Sequence, residues 1–286
     1  MIYTCDPEGL VVEFMFRVEG YLRNILIILP VLVLCGISPS VLGQQSSALA
    51  PWVGTSLNGK TCFGRSIYSP IYDYLQRDIF PQDLAIVEQY HFSEGVESLQ
   101  EGLSSTPIGD IHYVLMQWPN HHRALYSALQ YRLQHLVGDW PEPVHPPAEC
   151  YLQRAIKFSP NDPVPHMLYG MLMDRVKQYD KALTSYRAAN RLLPDDVITQ
   201  YNIGLMLVEL KRFNEAVQVA KKVYSTGFPL PGLKKKLIAA GHWKAEAGET
   251  ASNPAKQELT PAQIDAIKKA MLDEAARKKA AAAAAP

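Results

Sequence analysis

Between residues 162 and 229 the apolar positions recur at helical spacing, and the implied helices come in pairs. Asp162-Pro163 supplies an N-cap and a first-turn proline, while Asp180 and Asn214 stand where they would cap the following second helices. Several features repeat at an offset of 34: Gly170 with Gly204, Lys177 with Lys211, Tyr179 with Phe213, Asp180 with Asn214, and Ala182 with Ala216. One step upstream, Pro160, Ala155, Leu152 and Ala148 stand opposite Pro194, Ala189, Tyr186 and Ala182. The pattern therefore predicts an earlier second helix over 148–158, with its first helix over 121–136 capped by Asn120 and a proline-rich inserted loop over 137–147. Downstream, residues 230–243 read as a terminal helix that turns Lys234–Lys236 to solvent. The predicted class is all-α.

The stretch 166–194 carries His166, Tyr169-Gly170, Met173, Ala182, Tyr186 and Pro194 at the marker places of a helical hairpin. The next unit carries Gln200, Ile203-Gly204, Leu207, Ala216, Ala220 and, one residue late, Pro229. In its residue types and its period this resembles the tetratricopeptide repeat, of an exported bacterial type. The resemblance implies a short right-handed α-solenoid of antiparallel hairpins: a divergent unit over 119–161, units over 162–195 and 196–229, and a capping helix over 230–243. Such units cannot bury their apolar faces alone and must stack. Gly170, Gly204, Ala182 and Ala216 then sit at the closest backbone crossings, where a larger side chain overpacks by about 1–3 kcal/mol.

In this repeat class the first helices line a concave face. By helical spacing Val164, Met167, Leu168, Met171, Asp174 and Arg175 face inward from one unit, and Ile198, Tyr201, Asn202, Leu205, Val208 and Glu209 from the next. Chaperone-binding members clamp a peptide carboxylate with Lys, Asn and Arg; here Met167, Met171 and Leu205 take such places, so that clamp is missing. An apolar concavity with adaptable methionines suits an apolar peptide or helix. Two readings stand: an open binding groove, or the same side chains covered by residues 44–118 or by the tail.

The flanks are less regular. In 44–118 short helices are expected over 83–90 and 94–102, the second capped by Ser93, whereas 111–118 reads as helix or strand. Tyr68, Tyr72, Tyr74 and Trp118 point to packing against the first unit. A polar linker covers 244–259. In the Ala-rich tail, 260–286, Thr260, Pro261 and Gln263 form a capping box ahead of an apolar stripe of Ile264, Ile267 and Met271. That tail either docks on a groove or stays free.

Residues 1–43 have the order of a secretory leader: Arg17 and Arg23, the apolar run 25–35, then Ser38, Ser40 and Gly43. The four acids before the run fit poorly unless synthesis starts at Met15. Cleavage is expected between Gly43 and Gln44, leaving a periplasmic or secreted protein. An uncut leader would instead anchor it and give transient membrane association, and Cys35 would be a lipid site if Leu34 were tolerated before it. Removal of 1–43 leaves 26 bases and 24 acids, so the balance of 28 against 28 in the whole chain barely moves. Neutrality excludes the basic face that nucleic-acid binding needs.

After export Cys62 and Cys150 remain, an even pair that either bridges or stays as two thiols, one of them in a helix. The motifs GxSxG, HExxH, GxGxxG and CxxC and the phosphate-binding loop are all missing. His121-His122 are adjacent, so on a helix their rings point about 100° apart, which favours capping and packing over one shared ion. Glu88 and His91 have di-iron spacing in a single copy, and that chemistry needs two. No catalytic residue, metal or cofactor follows from the sequence. The expectation is an exported, non-enzymatic scaffold binding a protein or peptide; the alternative is an enzyme or metal protein with a site in 44–145 around His91, His112 and His121-His122.

Overall fold

The computed structural model describes residues 50–64, 70–136 and 144–244, all within one compact unit. The expected cleavage site at Gly43 and Gln44, Tyr68, most of the inserted loop, and all but the first residue of the linker and tail lie outside the described residues. Those described form ten α-helices, with no strand beyond a single antiparallel bridge between Thr55 and Thr61. The chain is all-α.

The first three helices are α1 (Pro81–His91), α2 (Glu94–Glu97) and α3 (Pro107–Gln117). Segment 111–118 is thus helical up to Gln117, with Trp118 as its cap. The helix is started by the Thr106 hydroxyl, which accepts from Gly109 N–H, and by Pro107 at the first position. The helix expected over 94–102 is capped by Ser93 but stops at Glu97, because the chain turns left-handed at Leu99, φ 65°. Next come α4 (His122–Gln134), α5 (Ala148–Phe158), α6 (Pro163–Arg175), α7 (Tyr179–Leu192), α8 (Val197–Glu209), α9 (Phe213–Ser225) and α10 (Gly232–Ala239).

The offset seen in the residues is also present in the backbone. Helices α6 and α8 start at Pro163 and Val197, and α7 and α9 at Tyr179 and Phe213. Between the members of each pair the turn is the same: Lys177 and Lys211 both have φ 58°. Gln178 N–H donates back to Met173 C=O and Arg212 N–H to Leu207 C=O, each at 2.8 Å. Helix α10 ends on a matching bond, His242 N–H to Leu237 C=O at 2.9 Å, with Gly241 at φ 75°.

That turn corrects the expected caps. It is so tight that the second helices begin at Tyr179 and Phe213, ahead of Asp180 and Asn214; the flanking Gln178 and Arg212 make no side-chain cap. Asp180 sits in the first turn, where its charge complements the helix dipole. Asn120 does not cap α4 either. His121 does so, its Nδ1 accepting from Ala124 N–H at 3.1 Å, because Asn120 is engaged elsewhere. Asp162 and Asp196 do cap α6 and α8.

Packing runs along the chain. Helices α1 and α2 lie on α3, α3 on α4, α4 on α5 and α6, α5 on α6, α6 on α7, α7 on α8, α8 on α9, and α10 closes on α8 and α9. One apolar core continues from Tyr72 through Leu125, Leu168 and Leu207 to Leu237, so the irregular N-terminal region shares it with the repeats. Tyr72 stacks on Trp118 at 4.8 Å, and Tyr74 meets the same indole edge-on. At the crossings, a Cβ on Gly170 would lie 2.8 Å from the Tyr186 ring, and one on Gly204 2.4 Å from Leu233 Cδ2. Ala182 and Ala216 are fully buried.

Candidate functional site

The segment 50–64 forms a strap across one face of α5, held by side chains at helical spacing. Arg154 Nε donates to Ala50 C=O (2.9 Å), and Gln153 Nε2 donates to Thr55 C=O (2.9 Å). Glu149 Oε1 accepts from Leu57 N–H (2.9 Å), and Cys150 is disulfide-bonded to Cys62. Positions 149 and 153 share one row of the helix, and 150 and 154 the next, so four ties align along the strap. Gly54, at φ 84°, lets the strap pass over the Gln153 amide, which would lie 1.9 Å from any Cβ there. Arg154 is buried and finds carbonyls, of Ala50 and Leu115, together with the Trp52 ring face at 4.9 Å. Burial lowers its pKa to about 10. Among the described residues it has no carboxylate in ion-pairing range, so its role is to fix the strap.

Between the strap and the helices lies a cavity of about 780 Å³. Its walls are the 56–63 loop, the ends of α4 and α6, and the start of α5 with the residues leading into it. Arg132 Nε donates to Glu149 Oε2 at 3.1 Å, and its Nη1 donates to His135 C=O at 2.5 Å; this buried pair holds the α4 end against α5. Lys60 and Arg175 also line the space, as do Phe63 and Val144.

His91, His112 and the His121-His122 pair sit in three separate settings, with His145 packed on His112 at 4.7 Å between ring centroids. His91 Nδ1 meets Asp110 Oδ1 at 2.9 Å and its ring stacks on Tyr113, while Asp110 Oδ2 accepts from the N–H groups of Leu103, Ser104 and Ser105. Burial alone would raise the Asp110 carboxyl pKa, but His91 and those three donors hold it below its ordinary value. His112 bonds Tyr151 Oη at 2.6 Å; burial, then the nearby His145, lower its pKa to about 4. His121 accepts at Nδ1, so its Nε2 carries the proton donated to Glu88, 3.0 Å away. Burial lowers its pKa, outweighing the pull of Glu88. His121 thus caps α4 from extended backbone just outside the helix, and His122 is the first residue of α4. His122 Nε2 donates to Asp162 Oδ2 at 2.8 Å, both fully buried, within a polar knot. There the Asn120 amide donates to both Asp73 and Asp162 and accepts from Tyr74 N–H, while Ser159 donates to Asp73. Among the described residues no three His, Cys, Asp or Glu side chains are arranged to hold a metal ion.

The residues expected to line a concave face have different environments. Val164 and Leu168 are fully buried core, and Met167 and Tyr201 are also buried. Tyr201 packs under Phe228 at 5.0 Å, beside Gly232. Met171, Asp174, Asn202 and Leu205 are half-buried; Glu209 is too, and it accepts from Lys236 Nζ of α10 at 2.5 Å. Arg175 is exposed and reaches the cavity. Structural markers fare more evenly: Tyr186 and Ile203 are buried, Tyr169 half-buried, and Pro194 exposed with its C=O accepting from Gln200. Sequence reading missed Lys60, Phe63 and Val144. The signal lay in the cysteines, since a bridge from Cys62 to the start of α5 brings the residues around Cys62 to that helix end. No protein-family model matches this chain, and no curated protein matches it.

Proposed function

We propose that the chain is an exported, non-catalytic adaptor or assembly factor of the tetratricopeptide-repeat type. Its hairpins stack as a short right-handed solenoid that binds a protein or peptide partner along its first helices. The observation that carries this reading is the recurrence of hairpin starts and left-handed turns at one 34-residue offset. Scaffolds of this kind act through extended surfaces and need no reaction centre. The separate engagement of His91, His112, His121 and His122 supports it over a metal or catalytic centre in 44–145. The Cys62–Cys150 bridge supports export, since such bonds persist in oxidising compartments. Half-buried Met171 and Leu205 are among the apolar contacts left on the first helices.

The test is crosslinking in cells followed by identification of the captured protein, repeated with Met171→Glu and Leu205→Glu together. The double variant is expected to keep its helix content and to lose that capture. Capture unchanged by the double variant removes this face as the binding surface.

A further inference from the structure

We propose that the cavity beneath the strap binds an apolar molecule carrying a carboxylate. The volume of about 780 Å³ lies within the range of sites that enclose a small ligand or the end of a peptide. The charge of its wall is one-sided. Arg132, Lys60 and Arg175 line it against Glu149, and Glu149 is already occupied by Arg132 and by Leu57 N–H. Lys60 and Arg175 have no acidic partner within ion-pairing distance among the described residues, so two cations remain to meet an anion. The body of the ligand is specified separately. Phe63 on the strap is 76% exposed and Val144, before α5, is 78% exposed, and both border this half-open concavity. Two large apolar groups left wet at a concavity mark a surface that gains by being covered. The disulfide fixes the strap wall to α5, so the cavity is preformed. This site is distinct from the helix face of the adaptor reading and shares only Arg175 with it.

The experiment uses the full oxidised chain and two fluorescent apolar probes. One is the anionic 1-anilinonaphthalene-8-sulfonate, in which a sulfonate stands in for the carboxylate; the other is the uncharged N-phenyl-1-naphthylamine. One probe molecule per chain is expected to bind. Lys60→Glu with Arg175→Glu, both at exposed positions, weakens the anionic probe at least tenfold and leaves the neutral one within twofold. Lys60→Gln with Arg175→Gln gives a smaller loss in the same direction. Displacement of the anionic probe by dodecanoate points to a small-molecule acid. Displacement by a hexapeptide acid ending in Leu-Phe, with its amide much weaker, points to a chain terminus; either result supports the site. Probe affinity that ignores both charge changes, or displacement by neither acid, overturns it, whatever the outcome of the Met171 and Leu205 experiment.

Discussion

Replacing Gly170 by alanine tests the stacking directly, because two opposing contributions have known sizes. Alanine in place of glycine within a helix stabilises by about 1 kcal/mol from backbone entropy alone. Against that, the new Cβ would lie 2.8, 2.9 and 3.0 Å from three atoms of the Tyr186 ring. The ring is 2% exposed and is held from α7, so it must retreat by roughly 0.5 Å in a close-packed interior, where overpacking costs about 1–3 kcal/mol. The net expectation is a loss of about 1 kcal/mol, which for a domain of this size lowers Tm by about 2–4 °C. Gly95→Ala is the comparison: its Cβ would fall 2.4 Å from Glu101 Cγ. That side chain is exposed and can rotate away as the buried Tyr186 ring cannot, so entropy and contact nearly offset and stability changes by no more than a few tenths of a kcal/mol. Urea unfolding at 25 °C with an unchanged m-value reads both variants. Adding Tyr186→Leu removes the ring, and the penalty at residue 170 should vanish in the double-mutant cycle. A Gly170→Ala protein as stable as the Gly95→Ala protein, or a cycle with no coupling, refutes the crowded crossing.

Reducing the disulfide, or replacing both cysteines by alanine, releases a cross-link with a sequence separation of 88; by loop-closure entropy that is about 4.6 kcal/mol before strain, read as a Tm drop on the order of 10 °C in differential scanning calorimetry. His112 ionises near 4 when folded and near 6.5 when unfolded, so the unfolded chain takes up the proton first as pH falls and stability declines from about pH 6.5 toward 4. Going from pH 7.5 to 5 should cost about 2 kcal/mol through this residue, and His112→Gln should flatten that part of the urea-midpoint profile if Tyr151 keeps a partner. Asn120→Asp sets a third carboxylate against Asp73 and Asp162 in a buried site; a loss of about 3 kcal/mol or more at pH 7, partly recovered toward pH 4.5, is expected in the same titration.

What could be read in the residues follows from the range of the interactions involved. Helix period, the proline and aspartate start at 162–163, and the offset of 34 between paired residues are local or recur at a constant step, and each has its counterpart in the structure. The caps at Asp180 and Asn214 were misplaced because a left-handed lysine, not the capping side chain, decides where the second helix begins. A lysine in that conformation leaves no mark in the sequence, whereas Gly241 does so at the end of α10. Asn120 stands three residues before Arg123 and had the composition of a cap, but its side chain is claimed by Asp73 and Asp162, 47 and 42 residues away. Nothing in a window around residue 120 carries that competition. The cavity was hidden for the same reason: its walls come from residues 56–63, 132–136, 144–150 and 175–178, which only the strap brings together.

The N-terminal part is joined to the repeats by two kinds of tie with different physical meaning. Apolar contacts from Tyr72 and Trp118 into the shared core are tolerant, since bulky groups repack. The strap and the knot are not tolerant. Arg154 has carbonyls and a ring face in place of a counter-ion, and Asn120 fills both its donors and its acceptor, so each holds its neighbours in one arrangement or leaves a buried polar group unsatisfied. Both sites act on α5, which carries Arg154 and ends at Ser159 in the knot, while Asp162, the cap of α6, brings the next helix into it. A repeat array left to nearest-neighbour contacts opens from its ends. Here α5 is held from the strap side by a disulfide and from its other end by a buried polar network. Helices α4 and α5 are separated by 13 residues, against 3 between α6 and α7, and the disulfide, the strap bonds and the knot hold α5 from outside that connection.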